Sequence, residues 1–200
     1  MDRRSVVLRL PALLALANVA RSATAATSQG FRTGVFDPPR SAPDFSLRGS
    51  DGTDLKLSRY RGSVVALGFG FTSCPDVCPT TLAYLAEARK KLGPAAQQFR
   101  VIYITVDPER DSAELLHKYV RAFDPTFVGG TGTPAQLAEV RKAFGITATR
   151  HPINGSATDY VIHHSAFVYL IDRAGYLRAM MPYGVSPDDI AHDVNLLLSK

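Results

Sequence analysis

The 200-residue chain has two cysteines, and they lie four positions apart, at Cys74 and Cys78. They fall within Phe71-Thr72-Ser73-Cys74-Pro75-Asp76-Val77-Cys78-Pro79, between the end of an apolar run and the start of a helical pattern. Backbone N–H groups at a helix N-terminus are unpaired and the dipole there favours negative charge, so thiols in that place are expected to ionise easily. Two thiolates form a soft bidentate site, which selects Cu(I) over Ca²⁺, Mg²⁺ or Mn²⁺. The plainer reading is a structural disulfide or two inert thiols. The strand–Cys–helix placement favours chemistry.

Two sulfurs rarely complete a metal site, so a third ligand is sought among five histidines: His117, His151, His163, His164 and His192. His117 and His192 fall within helical patterns among polar residues and read as surface or satisfied core. His151 sits in an expected loop, 150–158, and stays open. His163 and His164 lie in an expected strand, 160–171, where alternation points their side chains to opposite faces. At most one faces the cysteines, and spacing alone does not choose between them.

Other motifs carry less. Asp107-Pro108 reads as a turn, and Asp111-Ser112 as a helix cap. The glycine run 129–132 ahead of Thr133-Pro134 lacks the Gly-Lys-Ser/Thr ending of a phosphate loop, so it reads as a turn into a helix. Asn154-Gly155-Ser156 is a tight-turn signal before it is a glycosylation acceptor.

The elements that must position these groups alternate between strand and helix. Asp44–Leu47 and Asp54–Leu57 look like a hairpin across Gly49–Gly52. Ser63–Phe71 is a near-continuous apolar run suited to a buried central strand. Pro79 opens a helix to about Leu92, and Val101–Val106 forms a second buried strand. A helix follows the Asp111-Ser112 cap, then a short strand at Phe127–Gly130 and a helix from Pro134 to Phe144. Tyr160–Ile171 and Tyr176–Met181 pair about Asp172–Gly175, and Ser186–Leu198 closes the chain as a capped amphipathic helix. The pattern predicts an α/β sandwich with a mixed central sheet, an N-terminal hairpin and a C-terminal helix.

The formal charge is +5, from 23 Lys+Arg and 18 Asp+Glu. Four of those bases and one acid fall within residues 1–25, so the rest of the chain stands at only +2. A body so balanced lacks the clustered basic face of a nucleic-acid binder. The basic head, apolar 5–20 and small-residue Ala23-Thr24-Ala25 have the order of a signal peptide, or of an N-terminal anchor if uncleaved. Either places the folded part outside the cytoplasm, in the periplasm, soluble or held at the inner membrane. Residues 26–42 read as a linker or ordered extended arm, and 43–200 as one domain.

Three blocks then become recognisable: Cys74-Pro75-Asp76-Val77-Cys78-Pro79, Val106-Asp107-Pro108-Glu109-Arg110-Asp111-Ser112, and Asp159–Ser165 followed by Tyr169-Leu170-Ile171-Asp172. In this order they resemble the Sco/SenC family, from Pro43 to the C-terminus. The resemblance implies a thioredoxin fold and a copper site, for Cu(I) or Cu(II), made by Cys74, Cys78 and His164. It also implies a metallochaperone that assists assembly of the binuclear copper centre of cytochrome c oxidase, with the oxidase's copper-bearing subunit or another copper protein as partner. Where the family usually carries Asp before that histidine, this chain has His163, which removes an acidic neighbour and adds a nitrogen donor. The competing expectation is an enzyme, a thiol–disulfide reductase using Cys74 and Cys78 as a redox-active disulfide. Dithiol-exchanging thioredoxins use Cys-x-x-Cys facing a cis-proline. This chain has one residue more between its cysteines and Ser165 after the histidine, and no peroxidase-type Pro-x-x-x-Thr-x-x-Cys precedes Cys74.

Overall fold

The computed structural model describes residues 30–156 and 159–199, so the expected leader lies outside the described residues. The seven residues Val64–Gly70 form β4, buried at every position. Such a strand is covered on both faces, which is why its sequence is continuously apolar rather than alternating. Parallel to it runs β5 (Phe99–Thr105), in register from Val64↔Phe99 to Gly70↔Thr105. β6 (Val128–Thr131) continues the parallel part.

Around this centre the sheet is antiparallel. β9 (Val168–Ile171) flanks β4, then come β10 (Tyr176–Met181) and β1 (Gly34–Ser41) at one edge. β2 (Ser46–Gly49) and β3 (Asp54–Lys56) form the expected hairpin at the other edge, and the order is β1-β10-β9-β4-β5-β6-β2-β3. The helices are α1 (Val77–Lys91), α2 (Ala113–Arg121), α3 (Pro134–Ala143) and α4 (Pro187–Leu198), with α1 packed on α4. Ser112, Thr133 and Ser186 cap the last three with their side-chain oxygens, Thr133 in a reciprocal capping box with Gln136.

Two expectations change and one is narrowed. Of the linker or ordered extended arm expected over 26–42, residues 34–41 are the edge strand β1. Its Pro38 and Pro39 fall in a register shift between Val35 and Arg40, where missing N–H donors break no rung. Helix α1 begins two residues before Pro79, placing Cys78 in its first turn; a proline at the third position removes only an N–H that would be unpaired anyway. The expected strand 160–171 is two strands. β8 (Tyr160–His164) ends before Ser165 and pairs with β7 (Ala148–Pro152) in a separate two-stranded sheet. His151, expected in a loop, therefore lies on a strand.

Candidate metal centre

The parallel register decides where the site is. Because Gly70 lies beside Thr105, the residues following β4 and β5 emerge side by side at the carboxyl ends of the two strands. Open α/β sheets place their sites at such ends. Thr72, just past β4, is held by the carboxylate of Asp111: its N–H donates at 3.0 Å and its hydroxyl at 2.6 Å, and Thr105 Oγ1 donates to the same carboxylate at 2.6 Å. Asp111 is fully buried. Burial raises its pKa, against the lowering effect of these hydrogen bonds. The residue expected as a cap thus anchors the start of the cysteine loop.

Cys74 is half-buried and Cys78 buried, and both are free thiols. The N–H of Cys78, one of the unpaired donors of the first helical turn, points to Cys74 Sγ at 3.4 Å. The Cys74 sulfur therefore sits at the electropositive tip of α1, as expected. For Cys78 the expectation of easy ionisation fails. Burial dominates and pushes its thiol up to about 12, although the Tyr103 hydroxyl lowers it. Tyr103, itself buried, was not singled out from the sequence; it lies beside Gly68 on β5 and its hydroxyl reaches over Gly70, a placement set by the strand register. A Cβ on Gly70 would stand 1.8 Å from Tyr103 Oη and 2.7 Å from Cys78 Sγ, so glycine is what lets these two side chains close over the strand.

The hairpin β7–β8 brings the histidine. Along β8, Tyr160 and Ile162 are buried while Val161 and His163 are exposed, so His164 is turned inward and His163 outward. His164 Nε2 lies 3.6 Å from Cys78 Sγ. Its Nδ1 lies 2.9 Å from the carbonyl oxygen of Ser165. A carbonyl only accepts, so Nδ1 carries the proton and Nε2 presents its lone pair to the sulfur. Burial lowers the His164 pKa, partly opposed by the Ser165 hydrogen bond, and the imidazole is neutral at pH 7. The Phe71 ring meets the imidazole edge-on at 5.8 Å.

A second tier of residues fixes that hairpin. Tyr160 Oη donates to Asp107 at 2.7 Å, and Arg110 Nε donates to the same carboxylate. Arg110 also donates to the Tyr160 carbonyl, and its guanidinium carbon sits 3.9 Å from the Tyr160 ring centroid and 5.7 Å from that of Phe71. Asp107 is 1% exposed. Its carbonyl accepts from the N–H groups of Arg110 and Asp111 in the expected turn, and its carboxylate is in addition a buried tie between β5 and the histidine hairpin. The hint in the sequence was two acids four apart at the end of a buried strand. At the hairpin base, Thr147 and Ser165 exchange hydrogen bonds, Ser165 N–H to the Thr147 carbonyl and Thr147 N–H to Ser165 Oγ.

Of the expected site residues, the structure joins Cys74 to Cys78 and Cys78 to His164. Among the described residues no three His, Cys, Asp or Glu side chains form a ready-made metal cage. His163 and His151 lie on the outer face of the hairpin, and His117 and His192 on α2 and α4.

A parallel-centred sheet with two cysteines at a strand–helix junction and a facing histidine defines a thioredoxin-like protein with a Cys-x₃-Cys/His site. The SCO1/SenC family model matches residues 36–199, and the chain belongs to that family. A SCO2-like protein of Rickettsia conorii is 35% identical over 136 residues, 68% of this chain and 66% of its own length. The mitochondrial SCO2 homolog of Bos taurus is 36% identical over 153 residues, 76% of this chain, which spans 57% of that relative. Among solved structures, Bradyrhizobium japonicum ScoI with copper bound matches with TM-score 0.72 and 32% identity, covering 78% of this chain and 99% of that one. Apo Sco1 of Thermus thermophilus matches with TM-score 0.70 and 37% identity, over 84% and 95%.

Proposed function

We propose that this chain is a copper metallochaperone. Cys74, Cys78 and His164 hold one copper ion and pass it to a copper protein, with the copper-bearing subunit of cytochrome c oxidase as the acceptor. The observation that carries the reading is the lone pair of His164 Nε2 aimed at Cys78 Sγ across 3.6 Å. Metal–sulfur and metal–imidazole bonds of about 2.3 and 2.0 Å at a trigonal angle set their donor atoms about 3.7 Å apart, so a metal fits between them with little movement. A thiolate pair with one imidazole is a soft set suited to Cu(I) and also able to hold Cu(II). The copper-bound relative above supports the same cargo. Binding exchanges the Cys78 proton for the metal. Three ligands leave one side open, where an acceptor's thiolate can enter as Cys74, the more exposed sulfur, leaves. The expected leader places this work outside the cytoplasm, in the periplasm, with the N-terminus as a route to membrane attachment.

A second reading, a thiol–disulfide reductase, is favoured by the unequal exposure of the two sulfurs: Cys74 could attack a partner's disulfide and Cys78 resolve it. The two readings part at His164. Anaerobic Cu(I) titration of the reduced chain, beside Cys74→Ser and His164→Ala, tests the first. One equivalent is expected, lost or much weakened in both variants. Unaltered binding in both overturns the proposed ligand set, and retained dithiol exchange in His164→Ala supports the second.

A further inference from the structure

Successive residues of β8 serve opposite faces, and the outward face has its own chemistry. The hairpin pairs His151 with Val161 and Thr149 with His163, so these four side chains share one face. All four are exposed. His151 and His163 are diagonal neighbours on it, a separation long side chains bridge. Their rings lie 4.4 Å apart, centre to centre, with planes tilted 37°. The nearest basic side chain in sequence, Arg150, belongs to the other face: it pairs with Glu109 at 2.7 Å and lies over Tyr160. No guanidinium on the hairpin therefore opposes a cation at the imidazole pair.

We propose that His151 and His163 form a second metal site, which takes a borderline divalent transition-metal ion, Cu(II) foremost. Imidazole is a ligand of intermediate softness, and affinity along the divalent series peaks at Cu(II). Nitrogen ligands adjacent on one metal lie about 2.9 Å apart, from bonds of about 2.0 Å. Rings already 4.4 Å apart reach that spacing by side-chain rotation, which is soft about the outer torsion of histidine. Among the described residues no third His, Cys, Asp or Glu joins them, so water fills the remaining positions of the tetragonal site. The site shares no ligand with the Cys74/Cys78/His164 set and does not depend on it. The two differ in preference: thiolates inward for the reduced ion, imidazoles outward for the oxidised one.

The test is aerobic titration with Cu(II) of the full chain carrying Cys74→Ser, Cys78→Ser and His164→Ala, followed by calorimetry and electron paramagnetic resonance. One equivalent with two equatorial nitrogens is expected. Adding His151→Ala or His163→Ala should weaken it by roughly tenfold or more, as loss of one of only two protein ligands requires. Val161→His puts a third imidazole directly opposite His151 on the same face and should tighten binding. The proposal is overturned if no equivalent binds, or if both single histidine variants bind as their parent does.

Discussion

Replacing Gly70 by alanine probes the centre of the site with a single methyl group. That Cβ would stand 1.8 Å from Tyr103 Oη, 2.7 Å from Tyr103 Cζ and 2.7 Å from Cys78 Sγ. Ordinary non-bonded contact is about 3.5–4.0 Å, so the sulfur must retreat by roughly 1 Å and the phenol by more. Neither has room: Tyr103 is 2% exposed and Cys78 3% exposed. Overpacking of a dense core costs about 1–3 kcal/mol, and a clash with two immobile groups belongs at the upper end, near ~3 kcal/mol. For a domain of this size that lowers Tm by about 6–12 °C. Displacing Cys78 Sγ also spoils its 3.6 Å approach to His164, so copper affinity should fall with stability. Thermal unfolding by circular dichroism and Cu(I) competition against a chromophoric chelator measure the two effects. Tyr103→Phe in the same chain should restore part of both, since it removes the closest clashing atom. A Gly70→Ala protein with wild-type Tm and wild-type copper affinity would refute the packing argument.

Apparent Cu(I) affinity should rise with pH. With the Cys78 thiol pushed up to about 12, binding displaces a proton throughout pH 6–8, and Cys78 alone contributes about tenfold per pH unit. His164, lowered by burial, adds little slope at the neutral end; a flat affinity profile would show that Cys78 does not bind as thiolate. Asp111→Ala strands the Thr72 N–H and both threonine hydroxyls, and should cost about 2–4 kcal/mol in denaturant unfolding, with copper affinity reduced because the cysteine loop loses its anchor. Asp193, fully buried on α4, accepts from the backbone N–H groups of Arg32 and Thr33 and from the Thr33 hydroxyl. Asp193→Ala should increase amide exchange in β1 while leaving copper stoichiometry unchanged.

What the sequence disclosed follows from the strength of each local signal. β4 was legible because a strand covered on both faces cannot hide its apolar run, and the C-terminal helix because Ser186-Pro187 announces its start. β7 was not. Ala148-Thr149-Arg150-His151-Pro152 is almost wholly exposed and polar, and it is a strand only because β8 lies against it. Missing β7 left His151 in a loop and fused β8 with β9. Alternation correctly separated His163 from His164, but which one faced inward depended on Tyr160 and Ile162 being the buried members of the strand. The acidity of Cys78 was misjudged for a related reason: the helix tip was visible in the sequence, while the buried Tyr103 and Gly70 around the sulfur were products of register between β4 and β5.

The sulfurs and the imidazole grow from different parts of the architecture. The cysteine loop continues the eight-stranded sheet, whereas the imidazole rides on a hairpin that contributes no rung to that sheet. Damage to the two halves therefore has different fates. Lesions among the central strands should unfold the molecule, whereas a lesion confined to the His164 imidazole, on a hairpin outside that sheet, should leave the fold intact and the proposed copper set incomplete. Abundance alone would not reveal the second kind of failure.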